Sequence, residues 1–168
     1  RTAYVGLGAN LGDARTTLRR AVAALARVGR VRATSSLWRT APMDVKDQPH
    51  FLNAVVAVDL PAAGAARLVT TLKWIEVALG RGPGPRSGPR VVDLDLLMFA
   101  EGREERDGDV VVPHPRLAER RFALAPLAEI APDLVEPRTG RAVRGLLSDV
   151  SDQDAERAEG PERWTASS

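Results

Sequence analysis

Val91-Val92-Asp93-Leu94-Asp95-Leu96-Leu97-Met98-Phe99 is nine residues of apolar chain interrupted by two aspartates at a spacing of two. β-Branched and aliphatic residues bounded by turn formers predict a strand. Side chains alternate across a strand, so Asp93 and Asp95 project from one face, and Val92, Leu94, Leu96 and Met98 from the other. An apolar face needs a core, and a face with two adjacent carboxylates needs either solvent or a counter-charge. Solvated aspartates on an exposed sheet face and a hard divalent cation both meet that need. Mg²⁺ commonly takes one or two carboxylates together with phosphate oxygens and water.

Upstream of this strand, residues 80–90 read Gly-Arg-Gly-Pro-Gly-Pro-Arg-Ser-Gly-Pro-Arg. That composition excludes regular structure. Arg81, Arg86 and Arg90 stand there among glycines that allow close backbone approach, and guanidiniums fork onto phosphate oxygens. A solubilising surface loop is the plainer alternative. Downstream, Val112-Pro113-His114-Pro115-Arg116 leads into Glu119-Arg120-Arg121-Phe122, a second basic cluster with His114 fixed between prolines.

Nearer the start, Ala3–Gly8 predicts a first strand. A helix over 14–28 follows, capped by Asp13, with Leu18, Val22 and Leu25 on one stripe. Val31–Arg39 and Phe51–Leu60 predict two more strands, and a helix near 63–79 carries Leu68, Leu72, Ile75 and Leu79. Phe51 and Asn53 share a face; they offer a stacking surface and an amide, or ordinary strand packing. Val110–Val112 can pair back as a hairpin, and Ala123–Ile130 predicts a short helix. The order is βαββαβ plus a C-terminal extension, the α+β arrangement of a ferredoxin-like core: an antiparallel sheet with helices packed on one face. Residues 1–147 form one domain in this reading, and the polar tail 148–168 is expected to be disordered or loosely docked.

Composition narrows the function. The chain has 168 residues, 44% hydrophobic and 27% charged, the profile of a globular domain able to bury a core unaided. Without cysteine, thiolate metal sites and cysteine nucleophiles are excluded. No secretory leader or membrane span is visible, so a cytoplasmic protein with no membrane partner is expected. The net charge of +2 and 4% aromatic residues give no support to a nucleic-acid partner. Gly6, Gly8 and Gly12 imitate a dinucleotide fingerprint, but the third glycine falls one place late.

Taken together these motifs resemble the 6-hydroxymethyl-7,8-dihydropterin pyrophosphokinase family. The resemblance runs from Tyr4 to about Pro137. It rests on Gly8-Ala9-Asn10-Leu11-Gly12, Arg39-Thr40-Ala41-Pro42, Asp47-Gln48-Pro49-His50-Phe51-Leu52-Asn53, Gly88-Pro89-Arg90-Val91-Val92-Asp93-Leu94-Asp95-Leu96, Val112-Pro113-His114 and Pro126-Leu127-Ala128-Glu129-Ile130-Ala131-Pro132. It implies transfer of pyrophosphate from ATP to the pterin's hydroxymethyl group, with release of AMP, in folate biosynthesis. It also implies two Mg²⁺ held by Asp93 and Asp95, with Asp95 either base or only ligand. Phe51 and Phe122 would sandwich the pterin, and Asn53, Thr40 and the backbone at Met43 would complete its pocket. Glu76, Arg81, Arg86, Arg90, His114, Arg116 and Arg120 would face the nucleotide; Arg81, Arg86 and Arg90 would also serve catalysis. A monomer is expected. Ser87 stands where some members carry Trp. A ligand-sensing module on the same topology and a magnesium-dependent nuclease are the competing classes.

Overall fold

The structure, a computed structural model, describes residues 1–42, 47–80 and 91–166. β1 (Thr2–Ala9) alternates strictly: Ala3, Val5, Leu7 and Ala9 enter one core, while Tyr4 packs against the other. α1 (Ala14–Val28) begins where the Asp13 carboxylate accepts the Thr16 N–H at 3.1 Å, and buries Leu18, Ala21 and Leu25. Gly29 ends it. A Cβ there would lie 2.2 Å from the Asp59 carbonyl oxygen, so no larger residue fits.

The single strand expected over 31–39 is two: β2 (Arg30–Thr34) and β3 (Leu37–Thr40). They lie end to end along β4 (Phe51–Asp59). The break is held by buried Ser35 and Ser36. Ser35 accepts the Val55 N–H at its Oγ (2.9 Å), and Ser36 donates from backbone N–H and Oγ to the Glu129 carboxylate (2.9 and 2.6 Å). These side-chain bonds replace ladder bonds, which periodicity alone does not register.

α2 (Ala65–Ala78) places Leu68, Leu72 and Ile75 beside α1 on one face of the sheet. β5 (Asp93–Phe99) pairs with β1, and β6 (Glu105–Asp107) with β7 (Val110–Val112) form the expected hairpin. A 3-10 turn (Leu117–Glu119) leads into α3 (Arg121–Ile130). β8 (Val135–Glu136), β9 (Arg141–Ala142) and α4 (Val143–Asp149) occupy chain without a clear sequence pattern. Then come β10 (Ala155–Glu159) and α5 (Pro161–Trp164).

The main sheet runs β10-β3-β4-β1-β5, every pair antiparallel, with β2 also on β4. This is the α+β, ferredoxin-like order read from the sequence. Its second face is not bare, as a one-sided arrangement would leave it: Leu124, Leu127, Val143 and Leu146 from α3 and α4 pack there on Val55, Leu97 and Met98. Among the described residues no helix is long and apolar enough to cross a membrane.

Two expectations need correction. Residues 148–166 are docked rather than loose. β10 extends the sheet on β3, from Ala155 opposite Thr40 to Glu159 opposite Leu37. Arg15 grips Glu159 through two bonds of 2.8 Å, and Trp164 is fully buried with its Nε1 donating to the Ser35 carbonyl at 2.9 Å. Polar composition misleads here because an edge strand needs only a free backbone edge, and one Trp supplies the apolar anchor. Second, Met98 does not share a face with Leu94 and Leu96. Val5 opposes Leu96 and Tyr4 opposes Met98, so Leu97 is an extra, bulged residue. Beyond it the faces exchange: Phe99 joins the α1–α2 core, and Leu97 and Met98 join the α3–α4 core.

Candidate active site

An open cleft lies on the second face of the sheet, between β5, β1, β4 and the start of α3. Its floor follows from register. Gly8 stands between Asp93 on β5 and Asn53 on β4; Gly6 stands beside Asp95 on one side and Val55 on the other. Both glycines lie on the face away from Val5 and Leu7. A Cβ on Gly8 would meet Asn53 Oδ1 at 2.8 Å, and one on Gly6 would meet Leu97 Cδ1 at 3.3 Å. The floor is bare because β1 carries no side chain there. Gly6 and Gly8, two of the three glycines that imitate a dinucleotide fingerprint, are this floor; their spacing of two, opposite an apolar row, is the available signal.

Asp93 and Asp95 are half-buried and project together into the cleft. Two carboxylates beside a bare glycine floor suit Mg²⁺, which would complete its octahedron with phosphate oxygens and water. Among the described residues no cluster of three or more His, Asp or Glu forms a complete protein cage. Asn53 and Thr40 are buried, and Asn53 Nδ2 donates to Thr40 Oγ1 at 2.6 Å, which turns Oδ1 over Gly8. Asn10, also buried, donates to Gln48 Oε1 (2.9 Å) and the Pro49 carbonyl (3.0 Å), tying the end of β1 to the chain that enters Phe51.

The opposite wall carries His114, Arg120 and Phe122. The His114 N–H donates to the carbonyl of the bulged Leu97 at 2.8 Å. Its Nδ1 accepts the Arg116 N–H at 3.2 Å, which makes Nε2 the proton-bearing nitrogen of the neutral ring. The Arg120 guanidinium stands 5.3 Å from the centre of the Phe122 ring, within cation–π range.

The structure thus brings Asp93, Asp95, Asn53, His114, Arg120 and Phe122 to one cleft, with Thr40 joined through Asn53. Phe51, opposite Thr40 in the β3–β4 register, and exposed Arg116, 3.7 Å from Glu119, are not among its lining residues. Neither is Glu76, which is buried on α2 and accepts the Leu94 N–H at 2.7 Å. Met43, Arg81, Arg86 and Arg90 lie outside the described residues.

A ferredoxin-like sheet carrying paired acids, an amide, a histidine and an arginine around one cleft brings together groups that suit a phosphate-bearing small molecule and its cation. The chain belongs to the 7,8-dihydro-6-hydroxymethylpterin-pyrophosphokinase family, whose sequence model it matches over residues 4–132. It is 45% identical over 159 residues to the 2-amino-4-hydroxy-6-hydroxymethyldihydropteridine pyrophosphokinase of Methylorubrum extorquens, covering 94% of this chain and 98% of that one. The enzyme of the same name from Bacillus subtilis is 42% identical over 139 residues, 82% of each chain. In fold it is similar to the Plasmodium falciparum HPPK-DHPS crystal structure, with a TM-score of 0.73 at 14% identity. That match covers 90% of this chain and 44% of the longer one.

Proposed function

We propose that the cleft carries out the family's reaction: the hydroxymethyl oxygen of 6-hydroxymethyl-7,8-dihydropterin gives up its proton to solvent and attacks the β-phosphorus of ATP, the bond from that phosphorus to the α-phosphate oxygen breaks, and AMP leaves. The observation that carries this reading is the row Asp93–Gly8–Asn53, which sets a heterocycle-reading amide and a metal-binding acid two strands apart over a floor with no side chain. Asn53 Oδ1 accepts from the ring's polar edge while Thr40 holds the amide's orientation. Phe122 stacks on the ring, with Phe51 opposite. His114 Nε2–H and Arg120 donate to phosphate oxygens, joined by Arg81, Arg86 and Arg90 from the chain before β5. Arg116 supports this set through its N–H on His114. Two Mg²⁺ held by Asp93 and Asp95 would neutralise the triphosphate and stabilise both the attacking and the leaving oxygen. Glu76 contributes from behind, fixing the backbone between the two acids through the Leu94 N–H. Positioning and charge neutralisation are most of what such a transfer needs.

The experiment is to mix the protein, MgATP and 6-hydroxymethyl-7,8-dihydropterin and follow nucleotide products. AMP in step with pterin diphosphate is expected; ADP, or no nucleotide change, refutes the reading. Asp95→Asn is expected to abolish AMP formation while the thermal unfolding midpoint stays within a few degrees of the parent's, since the substitution changes a half-exposed group. AMP formation at the parent rate would remove Asp95 from the site.

A further inference from the structure

α3 begins without a side-chain cap of its own. Arg120 occupies the cap position and its side chain makes no capping hydrogen bond. The first N–H groups of a helix have no partner within it and need one from elsewhere. Gln153 supplies it from 32 residues away. Its Oε1 accepts the Arg121 N–H at 2.9 Å. The same amide's Nε2 donates to the Glu119 carbonyl at 2.6 Å, at the end of the preceding 3-10 turn. An N–H and a carbonyl fix which end of the amide is oxygen and which nitrogen. The Arg121 guanidinium completes the joint by donating to the carbonyls of Ser151 (2.7 Å) and Gln153 (2.9 Å). Gln153 is itself set by its backbone N–H on the Val150 carbonyl at 3.1 Å.

The two residues that Gln153 holds, Glu119 and Arg121, flank Arg120, and Phe122 follows. Arg120 and Phe122 are the basic and aromatic members of the cleft wall. We infer that Gln153 is a positioning residue for the cleft: one side-chain amide from the C-terminal segment caps α3 across the junction and fixes where Arg120 and Phe122 enter the site. This rests on reading the cleft as the pterin and ATP site. It assigns the segment after α4 a part in substrate binding beyond its packing on β3.

The test uses the 168-residue chain and two variants. Gln153→Ala removes both bonds. Gln153→Glu keeps the acceptor for Arg121, placed favourably at a helix N-terminus, and replaces the donor to Glu119 with a carboxylate oxygen that repels that carbonyl. In the unliganded protein, exchange of the Arg121 amide hydrogen is expected to quicken about tenfold in Gln153→Ala and to stay near the parent rate in Gln153→Glu. The KM for the dihydropterin is expected to rise about fivefold in Gln153→Ala, with kcat changed less than twofold and a smaller rise in Gln153→Glu. Unchanged Arg121 exchange in Gln153→Ala overturns the cap. Faster exchange with an unchanged KM overturns the positioning role. If Gln153→Ala does not fold, Gln153→Glu decides: a raised KM with Arg121 still protected supports the clamp, and a parent-like KM overturns it. If the parent protein yields no AMP, the reaction is misread, while exchange and direct dihydropterin binding still judge Gln153.

Discussion

Replacing Gly8 with alanine probes the floor of the cleft with a single carbon. Gly8 has ordinary strand geometry, so alanine brings no backbone strain and even a small gain in strand stability. Its only new contact below 3 Å is with Asn53 Oδ1, at 2.8 Å, where ordinary contact begins near 3.4 Å. Asn53 must therefore move by about half an ångström or rotate. It has little room, because Nδ2 is bonded to Thr40 Oγ1 at 2.6 Å and the two residues are 6% and 2% exposed. Losing that bond costs about 1 kcal/mol, and leaving a buried partner unsatisfied adds about 1 kcal/mol more. Together that is roughly a thirtyfold loss of dihydropterin affinity if the amide reads the ring. Titration calorimetry with dihydropterin and separately with a non-hydrolysable MgATP analogue checks it. Pterin binding is expected to fall ten- to thirtyfold and nucleotide binding less than twofold. Gly6→Ala is the contrast: its Cβ meets the end of a flexible leucine at 3.3 Å, which can yield, so about a threefold effect is expected. Parent-like pterin affinity in Gly8→Ala, or a larger loss in Gly6→Ala, refutes the reasoning.

The remaining expectations concern what holds the site in place. Trp164→Ala is expected to lower unfolding free energy by about 3–5 kcal/mol and Trp164→Phe by about 1–2, the latter through the stranded Ser35 carbonyl; urea denaturation reads both. Glu159 is held below the usual carboxylate range, chiefly by the hydrogen bond from Arg15. Its contribution to stability is therefore complete above the unfolded carboxylate value, about 4.3, and is lost as pH falls through the lower folded value. Glu159→Gln should lower the melting midpoint at neutral pH, with the difference shrinking toward about pH 3; a gap that does not shrink removes the ion pair as its cause. Arg138 donates to the Pro113 carbonyl and lies 3.7 Å from Glu104, bracing the turn that carries His114. Arg138→Ala should weaken nucleotide binding about threefold and leave pterin binding alone, and equal losses in paired titrations would show general loosening instead.

Much of this architecture was legible in the sequence, because its signals were local and periodic. The α1 stripe and its Asp13 cap predict the observed helix, and alternation around Asp93 and Asp95 puts both acids on the cleft side. What escaped was set by partners distant in the chain. Nothing in Val31–Arg39 announces a break at Ser35, because the groups that stabilise it, Val55 and Glu129, lie 20 and 93 residues away. Gly6 and Gly8 offer only an imperfect dinucleotide fingerprint in the sequence; the neighbouring strands show that their missing side chains make room for Asn53 and Leu97. The tail is polar because β10 is an edge strand, and its one decisive apolar residue, Trp164, is too isolated to form a pattern. The nucleotide role of Glu76 is implied by the resemblance alone; spacing does not announce that its carboxylate accepts the Leu94 N–H, 18 residues away, between the acids.

The extra residue at Leu97 gives β5 two consecutive side chains, Leu97 and Met98, for the α3–α4 core. Before it, the chain is in frame with the acids; after it, with Phe99 and the opposite core. Its carbonyl also anchors His114. Deleting one residue between Asp95 and Phe99 would remove the bulge: the acids and Phe99 would keep their faces, but only one of Leu97 and Met98 would remain to pack against α3 and α4, and the carbonyl that anchors His114 would shift, whereas insertion within 101–104, a turn outside the sheet, would disturb neither. Natural length variation in this lineage should therefore gather just past Ala100 and spare the seven residues of the strand.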